Sequence, residues 1–325
     1  MPGRRVPAPT LLIAMTDAAL SASSISARSL PRVRLRVAEP WLYLAPALAV
    51  LVIWTYVPLL QAFELSFYQW NMLPRSQPRY VGFDNYVNLL TLPDMQQAAI
   101  NTVLYTIGLL PLSVGLPLLV ALLTARLSGP LRNLYRALIF VPMIVAPIVA
   151  AIVWRWLLNE DHGLVNAWLD GMGIGTVGFL RDPDVALWTL VWITGWKLLG
   201  FSTLLFAAAD SAINPSYIEA ARMDGASPWQ IVRDIRLPLL SPTILLLTMM
   251  TILFGAQWSF VYINALTGGG PLRSTTNVYF VMWEYGFKTM AAGWSTAAGV
   301  LVFAVFGLIA IACLALMKRL AVYDE

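Results

Sequence analysis

Six stretches of the chain are apolar over lengths that match a bilayer: 41–62, 98–125, 137–154, 185–209, 243–266 and 297–317. A helix needs about 20 such residues to cross the hydrocarbon core. Lys197, in the fourth stretch, is the only charge inside any of them. The pattern predicts an all-α, polytopic membrane protein with six transmembrane helices, and an even count puts both termini on one side. Pro111 and Pro117 punctuate the second stretch. The intervening segments 63–97 and 159–184 are rich in Pro, Gly, Asn and Asp, which predicts short turns and interfacial helices.

Segment 214–242, between the fourth and fifth stretches, carries denser signals. Asn214-Pro215 is a cap and first-turn pair. The helix it opens holds Glu219, Ala220, Ala221, Arg222 and Met223, and Asp224-Gly225 closes it, glycine taking the left-handed position at little steric cost. Ser227-Pro228 opens a second helix, with Gln230 completing a capping box. Ile231, Val232 and Ile235 give that helix its apolar stripe, and Leu237-Pro238 is expected to end it. The prediction is a helix–turn–helix between two spans. Arg222, Arg233 and Arg236 could instead hold the segment on lipid headgroups. A DNA-binding role is disfavoured, because both ends are tethered to the membrane within a few residues.

Composition agrees with the pattern. Of 325 residues, 59% are hydrophobic and 12% charged, against roughly 45–50% and 25% in soluble domains. Soluble, disulfide-rich and disordered classes are excluded. A single cysteine, Cys313, precludes an internal disulfide, and a single histidine, His162, disfavours a histidine-built metal site.

Charge sets the orientation. With cytoplasmic termini, the inside segments carry fourteen basic residues: Arg4, Arg5, Arg28, Arg32, Arg34, Arg36, Arg126, Arg132, Arg136, Arg222, Arg233, Arg236, Lys318 and Arg319. The outside carries Arg75, Arg79, Arg181, Arg273 and Lys288, with Arg155 directly at the edge of the third stretch. The net charge of +4 follows from this distribution and does not indicate nucleic acid. Residues 1–36 read as a cytoplasmic tail, or as the product of a start codon assigned too far upstream. The apolar run Leu11–Met15 is shorter than the roughly 7–15 residues of a signal-peptide core.

Neither of two nucleotide signatures points to a nucleotide site. Gly173, Gly175 and Gly178 fit G-x-G-x-x-G, but in a loop between spans rather than between strand and helix. No G-x-x-x-x-G-K-[ST] is present, so no ATP is expected to bind this chain through a P-loop.

The spacing of Glu219-Ala220-Ala221, Asp224-Gly225-Ala226, Ile235, Leu237-Pro238 and Pro242 resembles the EAA loop of ABC importer permeases. Val232 stands where that family usually has phenylalanine. Leu266-Thr267-Gly268-Gly269-Gly270-Pro271 resembles the segment after the fifth span in carbohydrate-type permeases, although Val261 follows Phe260 where the fuller pattern has aspartate. Phe287, Gly293, Ser295 and Ala297, with Asn101-Thr102, Trp154, Trp156, Gly163 and Asn166, fit the same subfamily. The likeness runs from about Trp41 to the C-terminus and is greatest to the maltose-permease and glycerol-3-phosphate-permease types.

That resemblance implies a type-1 ABC importer transmembrane fold in a prokaryotic plasma or inner membrane. Its parts would be a tail (1–40), a first helix (41–62), a transmembrane domain (97–317) containing the coupling loop (214–242), and a short C-terminal tail (318–325). The implied partners are a second permease, an ATPase dimer, an extracytoplasmic solute-binding protein and membrane lipid, with no nucleic acid. ATP and Mg would belong to the ATPase, so this chain would be no enzyme and carry no cofactor. Glu219, Ala220, Ala221, Asp224, Gly225, Ala226, Leu237 and Pro238 would form the ATPase contact.

For the solute path, Thr194, Lys197 and Phe201 share one face of the fourth span, and Thr251, Gly255, Trp258 and Tyr262 share one face of the fifth. Hydroxyls and aromatic rings suit a sugar, polyol or glycerol phosphate; ordinary helix packing uses the same residue types. Lys197 reads equally as functional or structural, an intramembrane charge costing at least about 2.5 kcal/mol. The competing function is an ion-gradient transporter, which would want acidic residues at mid-membrane.

Overall fold

The computed structural model describes residues 33–73, 75–125 and 129–320. Among the arginines used for orientation, Arg4, Arg5, Arg28, Arg32 and Arg126 lie outside the described residues, as do most of the proposed N-terminal tail and residues 321–325. The chain forms two compact units, Met1–Leu59 and Leu60–Glu325. In the first, the described residues are helical and include Pro40 and Pro46 within the helix Val33–Leu51.

Five helices are long and apolar enough to span: Pro40–Leu65, Pro93–Thr124, Pro183–Ala212, Ser241–Thr267 and Ala292–Leu320. Two further helices, Leu134–Ile144 and Pro147–Leu157, are bent by 94° at the break between them and make a sixth span if together they form one crossing. The sequence pattern predicts one uninterrupted helix there, and the break corrects it. Pro147 has no N–H to continue the ladder, and Ala146 before it is extended (φ −58°, ψ 136°). Pro142, by contrast, is accommodated inside its helix.

The fourth span is the core of the second unit. Over half of its apolar window, 56%, is buried, against 28% for the second and fifth spans. Tyr105 on the second span donates its hydroxyl to the Leu190 carbonyl (3.0 Å) and pairs with the Thr194 hydroxyl. The Ser113 and Thr251 hydroxyls meet at 2.9 Å, linking the second and fifth spans. Such polar links hold helices together where lipid supplies no hydrophobic drive.

Segments 63–97 and 159–184 contain a two-residue antiparallel pair, Tyr68–Gln69 with Arg79–Tyr80, and the helices Asp84–Thr91 and Leu164–Gly171. Gly173 and Gly175 lie in the loop after the second of these, at φ +78° and +86°, between two helices and beside no strand. The Asn101 amide donates to the carbonyls of Arg273 and Thr276, both at 2.9 Å. The Thr102 hydroxyl accepts from the Val278 N–H. The second span thereby clamps the loop that follows the fifth, from far away in the chain.

Candidate functional site

The loop between the fourth and fifth spans folds as two short helices. Asn214 accepts from the Ser216 N–H and opens the helix Pro215–Met223. The Ala226 N–H donates to the Ala221 carbonyl (2.9 Å) and the Gly225 N–H to the Arg222 carbonyl (3.1 Å). These are the paired bonds of a Schellman ending. Gly225 sits at φ +79°, as that ending requires. Ser227 and Gln230 then bond reciprocally, Ser227 N–H to Gln230 Oε1 at 2.7 Å and Gln230 N–H to Ser227 Oγ at 3.4 Å. This capping box opens the helix Pro228–Ile231.

Leu237-Pro238 does not end the second helix. The chain passes through a π-helical turn, Val232–Arg236, into Leu237–Leu239 and then the fifth span. Leu237 remains helical (φ −61°, ψ −45°), with its N–H donating to the Val232 carbonyl five residues back. The wider turn accommodates the proline ring, so the loop's second arm runs helically into the span.

Glu219, Ala220, Asp224 and Gly225 are exposed, while Ala221, Ala226, Leu237 and Pro238 are half-buried. Glu219 makes no ion pair among the described residues. The same loop exposes two large apolar side chains, Met223 (88% exposed) and Trp229 (65%). Trp229 has no place in the sequence reading of the contact. Its position directly after the capping Ser-Pro pair is the signal that could have flagged it.

A cavity of about 650 Å³ lies farther along the fourth span. Thr194, Lys197, Phe201, Trp258 and Tyr262 all line it. Thr251 and Gly255 do not. The Thr251 hydroxyl is turned to Ser113, and Gly255 packs under Leu109 of the second span. Sequence reasoning did not place Gln257, Tyr279 or Trp283 here and named Phe287 and Ser295 only as subfamily signals; all five line the wall, as do Met143 and Pro147 at the 94° break. No acidic residue lines the cavity, and the Tyr262 hydroxyl is buried without a partner among the described residues.

The Lys197 ammonium, half-buried on this wall, donates to the carbonyls of Pro142 (3.3 Å), Met143 (3.1 Å) and Val145. These lie at the 94° break, where the helix end leaves carbonyls without intrahelical partners. The cation caps a severed helix and borders the cavity at once.

Residues 113–321 match the family described as binding-protein-dependent transport system inner membrane component. This chain belongs to that family. The permease is 31% identical to a probable ABC transporter permease of Sinorhizobium fredii over 82% of this chain and 85% of that one. It is 30% identical to the sn-glycerol-3-phosphate transport system permease protein of Pectobacterium atrosepticum (81% and 88% covered). Identity to the trehalose/maltose transport system permease protein of Thermococcus litoralis is 32% (75% and 82% covered). Among solved structures, a bacterial ABC transporter involved in import of the acidic polysaccharide alginate superposes with a TM-score of 0.79 at 24% identity, covering 90% of this chain and 100% of that one. The permease therefore has the type-1 ABC importer fold and resides in a membrane.

Proposed function

We propose that the permease forms half of the translocation path for a sugar, polyol or glycerol phosphate, with uptake driven by ATP hydrolysis on a partner ATPase dimer docked on the 214–242 loop. One observation carries this reading. A capped two-helix loop, presenting Glu219 and Met223 on its first helix and Trp229 on its second, is joined to the fourth span, other residues of which line a large cavity. A second permease would complete the path, and an extracytoplasmic binding protein would deliver the solute. The relatives named for glycerol phosphate and for trehalose and maltose support the solute class. So do the rings of Trp258, Trp283 and Phe287, which suit the CH faces of a sugar, beside the exposed Gln257 amide. An ion-coupled mechanism finds no carboxylate on the cavity wall.

The test uses the permease co-expressed with its genomic ATPase, second permease and binding protein in proteoliposomes. Glu219→Ala removes the carboxylate expected to pair with a base in the ATPase cleft, a loss of about 2–5 kcal/mol when the pair is partly buried. Gly225→Val forces a β-branched residue to positive φ. Both variants should insert and pair with the second permease, yet lose solute-stimulated ATP hydrolysis and uptake. Wild-type transport by both would refute the coupling role.

A further inference from the structure

Asp210 and Arg236 form the ion pair that matters for how the loop moves. Arg236 Nη1 lies 3.5 Å from Asp210 Oδ2, and both side chains are largely buried, at 17% and 11% exposure. Every other ion pair among the described residues has at least one side chain 39% or more exposed. Asp210 is in the last turn of the fourth span, and Arg236 closes the π-helical turn that leads into the fifth. The pair closes the entire two-helix loop into a ring.

The ring matters because the loop's two arms differ in stiffness. The second arm is helical from Pro228 into the fifth span, with only the π turn and the residue Leu240 between. The first arm has a joint. Ile213 (φ −65°, ψ 129°) and Asn214 (φ −60°, ψ 121°) are both extended, so the helix Pro215–Met223 is not continuous with Pro183–Ala212. Two extended residues between helices can act as a hinge, and a push on the loop would be absorbed there. The ion pair spans this joint.

We infer that Asp210–Arg236 is a coupling strut that makes the fourth span follow the loop, across the non-helical joint Ile213–Asn214. The fourth span is one helix of 30 residues, and the cavity residues Thr194, Lys197 and Phe201 lie on it. Displacement of its loop end therefore reaches the cavity wall. The atoms Asp210 Oδ1 and Arg236 Nε are buried and use no partner in this conformation. Both residues are positioning residues: they touch neither solute nor ATPase in this role. The inference rests on reading the loop as the ATPase contact.

The strut is tested in the assembled importer in nanodiscs, with Cys313→Ser and a reporter cysteine at Phe201. The rate at which a positively charged methanethiosulfonate reagent labels the reporter is compared between nucleotide-free and ATP–vanadate-trapped complexes. The parent should show a clear nucleotide-dependent ratio. Asp210→Asn and Arg236→Gln should retain ATP hydrolysis by the partner ATPase while the ratio falls by roughly fivefold or more. The exchange Asp210→Arg with Arg236→Asp should restore it. Unchanged ratios in the single variants would overturn the strut. If the single variants fail to assemble, an exchange variant that assembles decides: a restored ratio supports the strut, and an unresponsive one overturns it. A parent with no nucleotide-dependent ratio would instead count against the importer reading itself.

Discussion

Lys197 shows why a charged residue inside a span need not be a ligand for anything that passes. Its three carbonyl acceptors belong to a helix end that the bilayer offers no water to satisfy. The charge and the broken helix each remove a cost the other would otherwise incur. The sequence leaves the functional and structural roles of Lys197 evenly open; the geometry gives it a structural task on the wall of the cavity. Lys197→Met should strand those carbonyls at about 1–3 kcal/mol for each that stays dry. The detergent-solubilised permease should then unfold at a clearly lower temperature. Lys197→Arg, which keeps charge and donors, should lose much less. A Met variant as heat-stable as the parent would show that the capping bonds carry no stability.

Elements were legible to different depths, and the prolines explain the difference. Uniform apolarity is enough to mark six spans, because every backbone group in lipid must be satisfied within a helix. The effect of a proline on such a helix is not local. Pro111 and Pro238 are accommodated at or just beyond π-helical turns and Pro142 within a helix, whereas Pro147 opens a helix bent by 94° from the one before it. Lys197 supplies the donors that make that break tolerable, and it lies some 50 residues away in the sequence, beyond the reach of any local pattern. The capping signals of 214–231 were legible because their bonds join residues at most five apart. The packing of the bent span on the fourth adds a test. A Cβ at Gly200 would fall inside the van der Waals shell of the Ile139 carbonyl oxygen, against backbone that has nowhere flexible to go. Gly200→Ala should therefore cost about 1–3 kcal/mol, the range for overpacking. Gly115, helical at φ −63° with nothing within 4 Å of its would-be Cβ, gives the control. Gly115→Ala should be neutral or stabilise by up to about 1 kcal/mol. Equal thermal shifts in the two variants would contradict the close approach.

At the scale of the whole molecule, the helical face that groups Thr251 and Gly255 with Trp258 and Tyr262 is correct as geometry but divided by tertiary packing. The second span covers its first half, and the cavity opens only at the second. The remaining wall comes from elements whose packing no single-helix pattern contains. The same 94° bend that shapes the wall also bears on topology, because a bent pair is either one broken span or a re-entrant hairpin. The two place everything after it on opposite sides. As a span, it puts Asp170 outside and the 214–242 loop in the cytoplasm, which the arginine distribution favours and ATPase docking requires. As a hairpin, it would put Asp170 in the cytoplasm, the loop outside, and the termini on opposite faces. Reporter fusions after Ser227 should therefore read cytoplasmic, and fusions near Asn85, Asp170 and Lys288 should read external. The fusion at Asp170 is the most informative of these, since it lies directly after the bend and before the fourth span. A cytoplasmic signal there would remove one crossing and carry the capped loop, with Glu219 and Trp229, to the face where no ATP-driven partner could reach it.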